Sequence, residues 1–177
     1  MPSIDLKGAR LWLLAAALLL ASCATTVTRQ AYRHGRLDYR VGALPAEWQP
    51  IRFRGANLAF RHRSGGTITA SGYCPGGDDV PLEVLTNHLL FGIKTRSELG
   101  STLFMLDGRQ ALRTHLLGEL DGVPIELDLV VLKKDGCTYD LQLVGVPHQF
   151  GLRQPAFEGF THGFATIPRR PEQGSGE

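Results

Sequence analysis

Residues 106–146 read LDGRQALRTHLLGELDGVPIELDLVVLKKDGCTYDLQLVGV, and within them Asp107-Gly108, Asp121-Gly122 and Asp135-Gly136 recur every fourteen residues. Asp-Gly between apolar or alternating runs signals a tight hairpin, because glycine tolerates positive φ and aspartate hydrogen-bonds its own turn. Three such turns predict four consecutive antiparallel strands, over Thr102 to Leu106, Gln110 to Glu119, Val123 to Lys133 and Cys137 to Val146. In the third, Ile125, Leu127, Leu129 and Val131 alternate with Glu126, Asp128, Val130 and Leu132. One face is therefore apolar throughout and the other becomes so near the strand's end. In the fourth, Tyr139, Leu141, Leu143 and Gly145 share a face.

Upstream, Asn57 to His62 and Thr67 to Cys74 flank Ser64-Gly65-Gly66 and read as a further hairpin. Between the two β regions, Leu82, Leu85, Leu89 and Ile93 fall on one stripe at helical spacing, widened by Val84, His88 and Phe91. Asp78, Asp79 and Pro81 stand before this stripe as a helix start does, which predicts a helix over Pro81 to Ile93. Phe157, Phe160 and Phe164 mark a second helix over Pro155 to Ala165, its aromatic stripe read as core. The tail from Pro168 to Glu177 is polar and expected to be disordered. Hairpin, helix, four-strand meander and helix make an α+β fold with an antiparallel sheet of about six strands.

This order, over roughly Pro45 to Ala165, resembles the PsbP-like group, which includes a plant photosystem subunit, a Ran-binding nuclear import factor and bacterial lipoproteins similar to DcrB. The resemblance rests on Pro45-Ala46-Glu47-Trp48, the early hairpin, the first helix, Leu106-Asp107-Gly108-Arg109-Gln110-Ala111, Cys137-Thr138-Tyr139-Asp140-Leu141 and the terminal aromatic helix. It implies an architecture for residues 45–167 and no catalytic or ligand residue, because no functional motif of the group matches position by position.

At the other end, Lys7 and Arg10 precede an apolar run from Leu11 to Leu20, followed by Ala21-Ser22-Cys23. Ten apolar residues at about 1.5 Å of rise each fall short of a hydrocarbon core about 30 Å thick. The segment reads as a secretory signal over residues 1–22, and Leu20-Ala21-Ser22-Cys23 resembles the lipobox of bacterial lipoproteins. That resemblance implies that Cys23 becomes the acylated first residue, anchoring the protein to the cell envelope. Ala24 after the cysteine points to the outer membrane, facing the periplasm. The alternative is an ordinary signal peptide with an incidental thiol at Cys23.

Residues 24–64 carry eight Arg against Asp38 and Glu47, whereas residues 65–177 carry nine basic and fourteen acidic side chains. Residues 23–44 are read as a basic tether. Its Arg29, Arg33, Arg36 and Arg40 either meet lipid phosphates, at about 1 kcal/mol each near an anionic surface, or simply keep the linker solvated. Arg52, Arg54, Arg61 and Arg63 alternate along extended chain and are expected to share one basic face for an anionic partner. With Cys23 lipidated, Cys74 and Cys137 remain as an even pair in a compartment that permits disulfides. A bridge is expected, closing a loop of about 64 residues and contributing about 4 kcal/mol. Two buried thiols are the alternative, and neither cysteine has a second ligand at zinc spacing.

Motifs for chemistry are few. There is no Gly-x-Ser-x-Gly elbow and no phosphate loop that follows a strand and opens a helix. Histidines 34, 62, 88, 115, 148 and 162 include no metal-spaced pair. His88 and His115 read as core imidazoles with hydrogen-bond partners, and Asp78-Asp79 as a helix cap or a weak cation site. Glu126 and Asp128 share a strand face, as neighbouring acids able to raise each other's pKa or as an ordinary exposed face. No cofactor, metal or nucleic acid is expected. The sequence reads as a non-catalytic, membrane-anchored envelope lipoprotein that docks on or assists a protein complex, such as one for transport or lipid handling. The alternative is a small periplasmic hydrolase whose site only a fold reveals.

Overall fold

The computed structural model describes residues 30–75 and 80–168. Its elements are β1 (Gln30–His34), β2 (Leu37–Val41), β3 (Trp48–Pro50), β4 (Leu58–His62), β5 (Thr67–Tyr73), α1 (Leu82–Leu89), β6 (Lys94–Leu106), β7 (Arg109–Leu120), β8 (Val123–Lys134), β9 (Cys137–Gly145), α2 (Pro147–Phe150), α3 (Gln154–His162) and β10 (Ala165–Thr166). The fold is α+β, with every strand pair antiparallel.

All three Asp-Gly pairs have positive φ at both residues, 49° and 73°, 51° and 82°, 53° and 71°, the backbone of hairpin turns that match strand twist. These turns connect β6 through β9, and β5 and β4 then extend the sheet from β9 to the short β3. The main sheet has seven strands in the order β3-β4-β5-β9-β8-β7-β6, one more than expected, and β1, β2 and β10 form a second sheet of three.

The two faces of the main sheet bury different layers. One presents Phe60, Ile68, Ala70, Ala111, Val130, Leu132, Tyr139, Leu141 and Leu143 to Tyr39 and Val41 of the small sheet and to Phe150, Phe157, Phe160 and Phe164. The other presents Leu116, Leu127, Leu129 and Val131 to Leu82, Leu85 and Leu90 of the α1 region. Period-two alternation over β8 thus feeds two cores at once, which is why its second face is apolar near the end.

The expectation of a basic tether over residues 23–44 needs correction from Gln30 onward. There the chain forms the β1–β2 hairpin, with Tyr39 and Val41 at 0% and 1% exposure. Leu37, Tyr39 and Val41 recur at period two beyond the turn at Gly35, so burial of their side chains draws the strand onto the body. Arg33 pairs through Nε across the hairpin with the buried Asp38 at 2.7 Å, while 74% of its side chain stays exposed. The expected signal, Cys23, the Asp78-Asp79 cap and the tail beyond Pro168 lie outside the described residues. Helix α1 ends at Leu89 rather than Ile93, before a reversal at Gly92 with φ of 89°.

Candidate functional site

The face of the sheet that holds the aromatic core is not apolar throughout. Arg113 and His115 on β7 stand opposite Val130 and Asp128 on β8, and Leu117 opposite Glu126. Arg113 and His115 each therefore reach diagonally to an acid on the neighbouring strand. Arg113 donates from Nε to both Asp128 carboxylate oxygens at 2.9 and 3.1 Å and from Nη2 to Oδ2 at 2.6 Å. His115 donates from Nε2 to Glu126 Oε1 at 2.7 Å, its ring stacked on Phe150 at 5.4 Å between centroids. Asp128 has no exposure, and a fully buried carboxylate is tolerable only with its partner in place. The hydrogen bonds to Asp128 in turn push the Arg113 guanidinium's pKa upward, outweighing its partial burial. Glu126 and Asp128 do share one face, Glu126 hydrogen-bonded to His115 and Asp128 to Arg113.

A cleft of about 300 Å³ opens beside this cluster. Its floor is Thr102 and Phe104 of β6 with Arg113, and its wall is Glu158, Thr161 and His162, whose i, i+3, i+4 spacing puts them on one side of α3. Arg113 keeps 32% of its side chain exposed here, with Nη2 3.6 Å from Glu158 Oε1, too far for a hydrogen bond. Thr161 is 5% exposed, and its Oγ1 has no hydrogen-bond partner. No serine or cysteine lines the cleft. A second cleft, of about 320 Å³, lies between α1 and the β5–β9 strands and reaches Asp140, whose carboxyl is pushed up by burial despite hydrogen bonds from Gln142 and Ser71.

Cys74 and Cys137 are joined by a disulfide at the adjacent ends of β5 and β9, next to the pair Tyr73 and Thr138. Arg52, Arg54, Arg61 and Arg63 are all exposed, and none forms an ion pair among the described residues. They do not make one face. Arg61 pairs with Gln49, and Arg63 follows it on the same side, whereas Arg52 continues the side of Trp48 and Pro50, and Arg54 sits in the turn. His62 accepts from the Ser64 backbone N–H through Nδ1 at 3.2 Å. His88 is exposed on α1 and not in the core, and His34, His148 and His162 are also exposed. Among the described residues no three His, Cys, Asp or Glu cluster as a metal site, and no helix is long and apolar enough to cross a membrane.

Arg153 was not singled out in the sequence, and Asp107 was read only as a turn residue. Arg153, 4% exposed, donates to the carbonyls of Gly65, Ser64 and Gln149, to Ser64 Oγ and to Gln149 Oε1 at 2.7 to 3.1 Å. It ties the β4–β5 turn to the start of α3. Asp107 accepts from Lys134 Nζ and from the backbone and hydroxyl of Thr166, which fastens β10 to the first Asp-Gly turn.

No family model matches the chain, and no curated protein does either. Solved structures do match in fold. Cyanobacterial PsbP (CyanoP) from Synechocystis sp. PCC 6803 superposes with a TM-score of 0.57 at 11% identity, over 84% of this chain and 99% of that one. LpqN, involved in cell envelope biogenesis of Mycobacterium tuberculosis, gives 0.57 at 16% identity over 81% and 92%. PA94 from Pseudomonas aeruginosa, a protein of unknown function, gives 0.51 at 16% over 80% and 98%. Near-complete coverage of these chains, together with the hairpin, helix, meander and aromatic helix, identifies the fold of this protein as PsbP-like.

Proposed function

We propose that this protein is a non-catalytic accessory module of the bacterial envelope, anchored through a lipid on Cys23 and docking on a membrane protein complex. The observation that carries the reading is Leu20-Ala21-Ser22-Cys23 at the end of an apolar run too short to span a bilayer. Acylation with two or more chains makes such an anchor durable. The outer membrane, by way of Ala24, is the proposed site. Within the body, the buried and half-buried polar side chains serve as pairs: Arg113 with Asp128 and His115 with Glu126. An imidazole engaged by a carboxylate and stacked on a ring suits a rigid scaffold. The fold shared with LpqN, itself involved in envelope biogenesis, agrees with this setting. Arg61 and Arg63, exposed on one side of β4 close to the chain's N-terminal half, supply a positive surface for an anionic partner.

The test is metabolic labelling with palmitate followed by membrane fractionation. Wild type is expected to carry label and sediment with the outer membrane, and Cys23→Ala to lose both. Label retained by Cys23→Ala, or an unlabelled wild type in the soluble fraction, contradicts the anchor. The double change Arg61→Glu with Arg63→Glu is expected to weaken co-purification with membranes or partner while thermal stability stays within about 0.5 kcal/mol of wild type. Unchanged co-purification removes the basic surface from the reading.

A further inference from the structure

Arg113 donates hydrogen bonds from one edge of its guanidinium, and on the other only Nη2 has a partner, the Glu158 carboxylate at ion-pair distance. Nε and one N–H of Nη2 face Asp128. The opposite edge, Nη1 and the second N–H of Nη2, makes no hydrogen bond among the described residues and lies in the cleft with Thr102, Phe104, Glu158, Thr161 and His162. A guanidinium whose back edge is locked by a buried carboxylate presents a fixed two-pronged donor, the shape that matches a second carboxylate. Beside it, the nine-tenths-buried Thr161 hydroxyl has no partner in the protein. Buried polar atoms are rarely left unpaired, so this hydroxyl marks a place for an external group.

We propose that this cleft binds a small organic carboxylate, its two oxygens on the free edge of Arg113 and the Thr161 hydroxyl, and its apolar body over the Phe104 ring. Glu158 sets the affinity. Its carboxylate stands 3.6 Å from Nη2 with half its side chain exposed, close enough to compete but free to swing into solvent. The acids Asp128 and Glu158 around a single arginine also discriminate by charge: they repel a phosphate dianion more strongly than a monoanion. A cavity of about 300 Å³ sets the size at that of a short-chain or single-ring acid. The inference does not depend on the lipid anchor, and either can fail alone.

The experiment is titration of the isotope-labelled full chain, in a non-ionic detergent, with benzoate, benzamide and inorganic phosphate, followed by the amide signals of Thr161, His162 and Thr102. Benzoate is expected to give saturable shifts at those signals, with benzamide and phosphate at least about tenfold weaker. Glu158→Gln should tighten benzoate about fivefold by removing the competing charge. Thr161→Val should weaken it about fivefold while leaving the fold as stable or more so, since it deletes an orphan hydroxyl. A purely structural cluster moves none of these affinities. No saturable binding in either wild type or Glu158→Gln overturns the proposal, as does benzamide binding as well as benzoate.

Discussion

Arg153 shows how one residue can hold a corner of this molecule. Its guanidinium is buried, yet among the described residues no carboxylate accepts from it, and its charge is spread over carbonyls and neutral side chains of two segments about 88 residues apart in sequence. Arg153→Met fills the space and strands the Ser64 and Gly65 carbonyls, so a loss of about 3 kcal/mol in urea unfolding is expected. Two aspartates give opposite pH signatures. Burial alone raises the Asp107 carboxyl, but hydrogen bonds from Lys134 and Thr166 outweigh it and hold it below its ordinary value. Its stabilisation is therefore present above the unfolded-state pKa and lost as pH falls through the lower native one. Asp107→Asn should cost about 1 to 2 kcal/mol at pH 7, and that gap should narrow as pH falls below the ordinary aspartate range. Burial instead raises Asp140, so its native state favours the protonated acid and stability declines as pH rises through the native pKa. Asp140→Asn is expected to stabilise the protein at pH 7 by about 1 kcal/mol and to be neutral in acid, both read from unfolding curves across pH.

Among the elements, the β2–α3 crossing depends on glycine. Gly42 donates its N–H to the Phe160 carbonyl at 2.9 Å, and a Cβ at Gly42 would strike the Gly159 carbonyl, just as one at Gly163 would strike the Gly42 backbone. These neighbours are backbone and cannot turn aside, so Gly42→Ala should cost about 2 to 4 kcal/mol, seen as a melting point several degrees lower. How far the elements could be read from residues differs along the chain. The Asp-Gly turns specify β7, β8 and β9 nearly to the residue and also their register: a turn centred on residues 121 and 122 places His115 opposite Asp128. The Arg113–Asp128 diagonal was therefore within reach of the sequence, although its partners are 15 residues apart. β1 and β2 were hidden because six arginines among residues 29–54, within and outside them, masked a period-two signal of only three residues, Leu37, Tyr39 and Val41. β6 extends eight residues further upstream than its apolar pattern predicted, since Lys94–Ser101 is exposed and pairs with β7 through backbone bonds and two bulges. The roof of the cleft had no sequence signal. Nothing local says that Glu158 and Thr161 come to lie over β6, because that depends on the packing of Phe157 and Phe160 against the sheet.

At the scale of the molecule, one sheet is covered on both faces, by α1 on one and by α3 with the small sheet on the other, and a disulfide bridges its two halves. Cys74 and Cys137 join β5 to β9, across a sequence separation of 63 and at the junction of the early hairpins with the meander. Removing the bridge with Cys74→Ser and Cys137→Ser is expected to lower stability by about 3 to 4 kcal/mol, chiefly through the freer unfolded chain, and reduction of wild type should match it. Such a cross-link suits a body that works outside the reducing cytoplasm. The account as a whole stands on the chemistry of Cys23, and the most direct measurement is mass spectrometry of the amino-terminal peptide from membrane-purified protein. It predicts a chain that begins at Cys23 and bears the mass of a diacylglyceryl thioether with an acylated amine. A chain that retains residues before Cys23, or begins elsewhere with an unmodified thiol there, contradicts it.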